Sequence, residues 1–388
     1  MFSCDNAKWL SLSAPFRWRS VSAAYMVPFY IDHGVSTGRV FLLLGIFTAV
    51  AVLWEIPSGI FADRIGQARS IKLGLFLAGI TIIVCGLSKE FWQFALCEVG
   101  LALAVGMVLG SDTSLLFDSL AVQRRGAEFI KFSQRINALG SGSFVVGVPI
   151  ALIAIYFWGI SSVLIVDGCS MMIAAFLVLR LVDIPKAERC HVQSWRSTGQ
   201  ALAGLLGNSR IRWLIILQAS LASGVYASFW LSALYYAQLG IPVIWFGALL
   251  AARNLLKAWL GHRFRHEKYL FRAFFGYASL VAIVFFAMAT GVPWIAWVVL
   301  GHDLIQALAF APLTKRLNED MDEAHRATLN SAVLLVQRIA GLVVGAVVSW
   351  TVSSHGLAAG LVAAGLCTGA AAHYALWRVQ RMGEFAKR

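Results

Sequence analysis

Repeated apolar stretches of membrane-spanning length dominate this chain. A helix crossing the hydrocarbon core needs about 20 mostly apolar residues. The sequence offers twelve such stretches, at about 9–31, 39–60, 71–88, 91–116, 135–157, 160–182, 211–238, 243–261, 269–290, 292–313, 328–351 and 355–378. One aqueous core cannot absorb them. Of 388 residues, 59% are hydrophobic and 13% charged, against roughly 45–50% and about 25% in soluble domains. Lipid must therefore solvate much of the surface. Because lipid satisfies no backbone hydrogen bond, the spans must be helices. The expected class is an all-α membrane protein with twelve transmembrane helices. Some spans are interrupted, by Pro28 late in the first, Pro149 in the fifth, and Arg253 and Lys257 in the eighth. Such breaks are tolerated where neighbouring helices or a watery cavity satisfy the freed groups.

The net charge of +13 would suit nucleic acid, but its distribution argues against that partner. No basic, aromatic-rich module appears. Twelve spans put both termini on one side, and almost every lysine and arginine outside the spans falls on that side too, in clusters such as Arg124, Arg125, Lys131 and Arg135. Only Arg39 and Lys89 fall opposite. By the positive-inside rule the termini are cytoplasmic. Trp92, Trp158, Trp245 and Trp294 suit an aromatic belt at the outer surface. The longest polar loop, 183–209, separates spans six and seven. It divides the chain into an N-terminal bundle at 1–182 and a C-terminal bundle at 210–388, two halves of similar size joined by a cytoplasmic linker.

Little in the sequence suggests covalent chemistry. Cys4, Cys85, Cys97, Cys169, Cys190 and Cys367 are scattered, with no CxxC pair, and read as small buried apolar residues. His262 and His266 have helical spacing but lie in the basic run HRFRHEK, where neighbouring cations repel a metal; solvated histidines fit better. No metal site and no cofactor are expected. Arg17 and Arg19 interrupt any apolar leader. No GxxxxGK[ST] loop is present to bind a nucleotide, and no catalytic triad or Gly-rich cofactor turn appears, so the chain is not expected to be an enzyme.

The inner end of the second span carries WEIPSGIFADRIGQARS, residues 54–70. Gly59 permits close helix approach, Asp63 can meet a positive helix N-terminus, and Gly66 permits a tight turn, while Arg64 and Arg69 hold to the inner surface. This run resembles the signature loop of the major facilitator superfamily, G-x-x-x-D-R-x-G-R-[RK], through Gly59, Asp63, Arg64 and Gly66. Gln67 stands where the family usually has arginine, and a base returns only at Arg69. The run GSDTSLLFDSL, with Asp112, Leu115, Phe117 and Asp118, is similar to the end of helix 4 in a bacterial branch of that superfamily, as is EIPSG at 55–59. The helix 4 arginine of proton-coupled members is absent, and ALCEVG supplies Glu98 instead. GSGSFVVGVP, at 140–149, echoes the helix 5 signature of antiporters loosely, and the second-half copy of the loop, GHRFRHEKYL, keeps bases without the aspartate. The resemblance implies two pseudo-symmetric six-helix bundles around a central cavity lined by helices 1, 4, 7 and 10, in a bacterial inner membrane, functioning as a monomer.

Ionisable residues deep in a span cost about 2.5–3.5 kcal/mol on insertion scales and are site candidates by default. Burial favours the neutral form of a carboxyl group, so Glu98 is the candidate proton carrier, with a structural hydrogen bond as its rival. Arg253 and Lys257 sit one turn apart on one face of the eighth span. Arg338 lies mid-span in the eleventh, and Asp303 in the tenth is an available partner for Arg253 or Arg338. Each base suits either a substrate anion or an internal ion pair. Arg19 reaches the cavity if the first helix starts near Trp9. Gln218, Tyr226 and Trp230 in the seventh span offer hydrogen-bonding and aromatic contacts, or packing alone. Glu55, Asp112 and Asp118 read as inner-gate residues, with Arg124, Arg125 or Arg135 as partners for the aspartates. The expected function is secondary active transport of a small organic solute by alternating access. Proton-coupled efflux of a drug or metabolite is the leading form. Transport of an anionic, carboxylate-rich metabolite or metal chelate, such as a siderophore, is the alternative.

Overall fold

The structure is a computed structural model, and it describes residues 5–17, 22–184, 207–263, 270–319 and 326–382. Arg19, His266 and nearly all of the 183–209 linker lie outside the described residues. Those described form helices and turns, with no strand among them. Among the described residues ten helices are long and apolar enough to cross a membrane, and Ala273–Ala289 is a shorter apolar helix. The all-helical expectation for lipid solvent therefore holds.

The chain divides into two compact units. The first comprises residues 1–33 and 49–194. It contains α1 (Asn6–Ser13), α2 (Met26–Asp32), the C-terminal part of α3 (Thr37–Ile65), α4 (Gln67–Leu87), α5 (Phe91–Val108), α6 (Ser111–Val122), α7 (Phe129–Trp158) and α8 (Ser161–Val178). Here α4 packs between α5 and α8. A Cβ on Gly168 of α8 would lie 2.8 Å from the Gly79 carbonyl of α4, so the two backbones pass at a distance that only glycine permits. Leu10, Ile71, Leu75, Leu115, Leu116 and Val178 form the apolar core of this unit.

Two spans differ from the sequence expectation. The first is not one helix over 9–31. α1 is followed by a 3-10 turn at Ala14–Phe16, Arg17 and Ser22–Tyr25 are not helical, and α2 begins at Met26. Pro15 is the second residue of that 3-10 turn, and Pro28 falls in the first turn of α2, where its missing N–H costs nothing. The fourth span breaks at Leu109–Gly110, where Gly110 takes φ +85°. It then continues to Val122 rather than stopping near residue 116.

The second unit comprises residues 34–48 and 195–388. It holds the N-terminal part of α3 together with α9 (Ser209–Gln238), α10 (Phe246–Arg263), α11 (Leu270–Ala289), α12 (Leu300–Glu319), α13 (Arg326–His355) and α14 (Leu357–Arg381). α9 packs on α12, α13 and α14 and forms the spine of the unit. The tenth span begins as a 3-10 stretch, Pro293–Val299, and α12 starts after it. Ser349 of α13 donates to the Gly38 carbonyl of α3 at 3.0 Å. The cysteine expectation needs correction: Cys85 and Cys97 are buried, but Cys169 and Cys367 are exposed. In lipid an outward apolar thiol carries little desolvation cost.

Candidate functional site

In the second unit, α9, α10 and α12 converge on a buried charge cluster. Arg253 is 5% exposed and Asp303 2%. Arg253 Nε donates to Asp303 Oδ2 at 2.6 Å, and its Nη2 reaches Oδ1 at 3.4 Å. Its Nη1 donates to Ser232 Oγ on α9 at 3.0 Å. The one-turn spacing on α10 brings Lys257 to the same carboxylate, with Nζ 3.7 Å from Oδ1, and Lys257 also donates to Gln306 Oε1 at 3.1 Å. Asp303 falls in the first turn of α12, where the helix dipole favours its negative charge. The cluster thus sets two cations against one carboxylate. Lys257, with 23% of its side chain exposed, is its open edge. Beside it, His302 is fully buried and donates from Nε2 to the Val281 carbonyl at 3.2 Å, with its ring on Phe285. Arg338 stands half-buried on α13.

On another face of α9, Tyr226 and Trp230 are one turn apart and their rings meet edge to face at 6.2 Å. With Phe41, Leu44, Thr48, Gly341 and Gly345 they line an apolar cleft of about 370 Å³ including its mouth. Tyr226 and Thr48 share a hydrogen bond of 3.3 Å, and the buried Trp230 Nε1 has no acceptor among the described residues. Gln218 donates to Thr314 Oγ1 on α12 at 3.1 Å, and its own buried carbonyl has no donor among the described residues.

In the first unit, Glu98 is 2% exposed and accepts from the Tyr30 hydroxyl at 2.5 Å. Phe29, Tyr30 and Phe94 pack ring on ring beside it. At the start of α6, Asp112 pairs with Arg17 at 3.6 Å rather than with the basic loop, and Arg17 Nε donates to Ser13 Oγ at 2.8 Å. Arg125 instead bonds Glu128 at 2.7 Å. That exposed pair raises the pKa of Arg125 and lowers that of Glu128, in each case mainly through their mutual hydrogen bond. Asp118 is half-buried and has no ion-pair partner among the described residues.

The signature loop forms the α3–α4 turn. Gly66 takes φ +103°, and a Cβ there would collide with the Asp183 carboxylate. Asp183 Oδ1 accepts from Ala68 N at 2.7 Å, and Arg69 Nε lies 3.9 Å from its other oxygen. An acidic group thus sits at the N-terminus of α4, where the first N–H groups lack helical partners. Asp63 and Arg64 are exposed, Glu55 and Gly59 half-buried.

Sequence reasoning missed Asp183, Tyr30, Ser232, Gln306 and Asp167. Asp167 is fully buried in α8 and accepts from the backbone N (3.0 Å) and hydroxyl (2.6 Å) of Ser22, just past the break in the first span. A signal for it existed, since a lone aspartate in an apolar span is a site candidate by default. Among the described residues no group of histidines, cysteines and carboxylates is placed to hold a metal.

These apolar helices and buried intramembrane charges define an integral membrane protein. The chain belongs to the Major Facilitator Superfamily, which it matches over residues 16–346. An "Uncharacterized transporter" of Buchnera aphidicola subsp. Schizaphis graminum is 26% identical over 46% of this chain and 46% of its own length. The membrane sensor protein UhpC of Escherichia coli is 27% identical over 48% of this chain and 42% of its own. The chain therefore spans less than half the length of these curated relatives. A crystal structure of a variant of the nucleoside transporter NupG superposes with TM-score 0.77 at 16% identity, covering 97% of this chain and 98% of that one.

Proposed function

We propose that the protein is a proton-coupled secondary transporter that carries a small organic solute bearing an anionic group, by alternating access of two six-helix halves at 1–182 and 210–388. The observation behind this reading is the Arg253–Lys257–Asp303 cluster, a buried and a partly exposed cation against one buried carboxylate. An uncompensated charge in a low-dielectric interior is costly, and an anionic solute relieves it. Lys257, the more exposed cation, meets the solute first, and the Arg253 fork then shares its donors between Asp303 and the solute. Glu98 supplies the proton site: it is a buried ionisable side chain deep in a span, held by the Tyr30 hydroxyl at 2.5 Å, and such a group is a site candidate by default.

The apolar cleft at Tyr226 and Trp230 favours a second form, efflux of a hydrophobic drug or metabolite, since flat aromatic walls hold apolar solutes without charge recognition. A third form follows from UhpC, which is a sensor: solute binding without transport. The distribution of lysine and arginine supports cytoplasmic termini, and the family resemblance supports a bacterial inner membrane.

Thermal stabilisation of the purified protein by a panel of organic anions, cations and uncharged solutes separates the first two forms. The anion reading expects carboxylated or phosphorylated solutes to stabilise, with Arg253→Lys weakening binding about tenfold through loss of the bidentate fork. Stabilisation by cations or uncharged aromatics alone would overturn it.

A further inference from the structure

At one end of the second unit, α9 and α14 present a group of arginines mounted on aromatic rings. Arg381 Cζ lies 3.9 Å above the Trp377 ring centroid, and Arg378 Cζ lies 4.8 Å from that of Trp213. Arg378 Nη1 also donates to the Tyr374 hydroxyl at 3.2 Å. Tyr374 and Trp377 stack at 5.7 Å, Trp213 meets Tyr374 edge-on at 5.2 Å, and Arg212 lies 5.7 Å from the Trp213 ring. Tyr374 is 50% exposed and Trp377 40%.

Neither Arg378 nor Arg381 has a carboxylate partner among the described residues. Ring faces hold the guanidinium planes by cation–π attraction and leave N–H edges unspent. Both arginines lie in the last turn of α14, and Trp213 lies near the start of α9. These are the span ends, where amphipathic rings settle at headgroup depth. Charge, rings and depth coincide at one place.

We infer that Trp213, Tyr374, Trp377, Arg378 and Arg381 form a binding site for the phosphate headgroup of an anionic phospholipid. The two forks take the phosphate oxygens, and the exposed faces of Tyr374 and Trp377 lie along the glycerol and upper acyl region. Only the choice of leaflet rests on the orientation proposed above, which makes it the cytoplasmic one, where anionic lipid attracts juxtamembrane arginines.

The test is native mass spectrometry of the whole chain in detergent, titrated with phosphatidylglycerol or phosphatidylcholine of identical acyl chains, with inorganic phosphate as a third arm. The site predicts selective retention of phosphatidylglycerol. R378Q/R381Q should reduce that retention on the order of tenfold and leave phosphatidylcholine unchanged. W377L, which keeps both charges but removes one ring support, should give a smaller loss and serves as the readout if the double variant does not fold. Equal retention of the two lipids, or undiminished phosphatidylglycerol in the variants, overturns the site. Displacement of the lipid by millimolar inorganic phosphate overturns it in favour of a free-anion site.

Discussion

Arg253 and Asp303 show what a single buried residue can carry here. Removing one partner of a buried ion pair leaves the other uncompensated, at a cost of about 3–5 kcal/mol. Asp303→Asn leaves two cations facing a neutral amide, so its melting temperature in detergent should fall by several degrees, and an anionic solute should restore part of the loss. If Asp303→Asn melts as the parent does, the cluster is not the buried pair the geometry describes. The exchanged variant, Arg253→Asp with Asp303→Arg, should recover stability but not anion binding, because the fork then projects from α12. Full anion binding in the exchanged protein would make the pair purely structural. Glu98 belongs at the same scale. Glu98→Gln should abolish gradient-driven flux while sparing solute exchange, and pH-driven flux equal to the parent's would remove its proton role. Glu128 provides a control. Its lowered pKa means that its pairing with Arg125 contributes above the ordinary glutamate range and is lost only as pH falls through the lowered value. Glu128→Gln should therefore leave any transport pH profile near neutrality unmoved.

At the scale of elements, the α3–α4 turn is the most constrained joint described. Gly66→Ala places a Cβ where the Asp183 carboxylate sits, at φ +103°. The left-handed backbone alone costs about 1–2 kcal/mol, and displacement of Asp183 adds to it. Melting in detergent should fall further for Gly66→Ala than for alanine at Gly142, a helical glycine with open space around it; equal melting would show that the turn relaxes freely. The physical source of each element explains how readable it was. Span length follows from bilayer thickness, so most helices were legible from apolar runs. The break in the first span was not, because Arg17 and Ser22–Tyr25 fall within an expected apolar span yet lie outside α1 and α2. The break at Gly110 was equally hidden, since glycine within an apolar span fits packing as well as bending. Asp183 was invisible as a partner of the α4 terminus because the contact joins positions 115 residues apart. The Arg253–Asp303 pair was legible for the opposite reason: few charges lie deep in the spans, so few pairings exist.

At the scale of the molecule, the superfamily was readable in the turn at 59–69 and in the repeated spans, and the match over residues 16–346 agrees with that reading. The solute was not readable, because one fold serves many chemistries and specificity resides in a few side chains. Those named here make separate claims: Arg253 and Lys257 for the sign of the solute's charge, Glu98 for the proton. Reconstitution into proteoliposomes joins them. Solute and proton fluxes are followed together under an imposed pH gradient, with organic anions and cations supplied in turn. Coupled flux of an anion and protons in the parent, lost in Glu98→Gln and weakened about tenfold in Arg253→Lys, is the predicted result. Anion flux indifferent to the gradient and to both substitutions, or flux of cations alone, would contradict it.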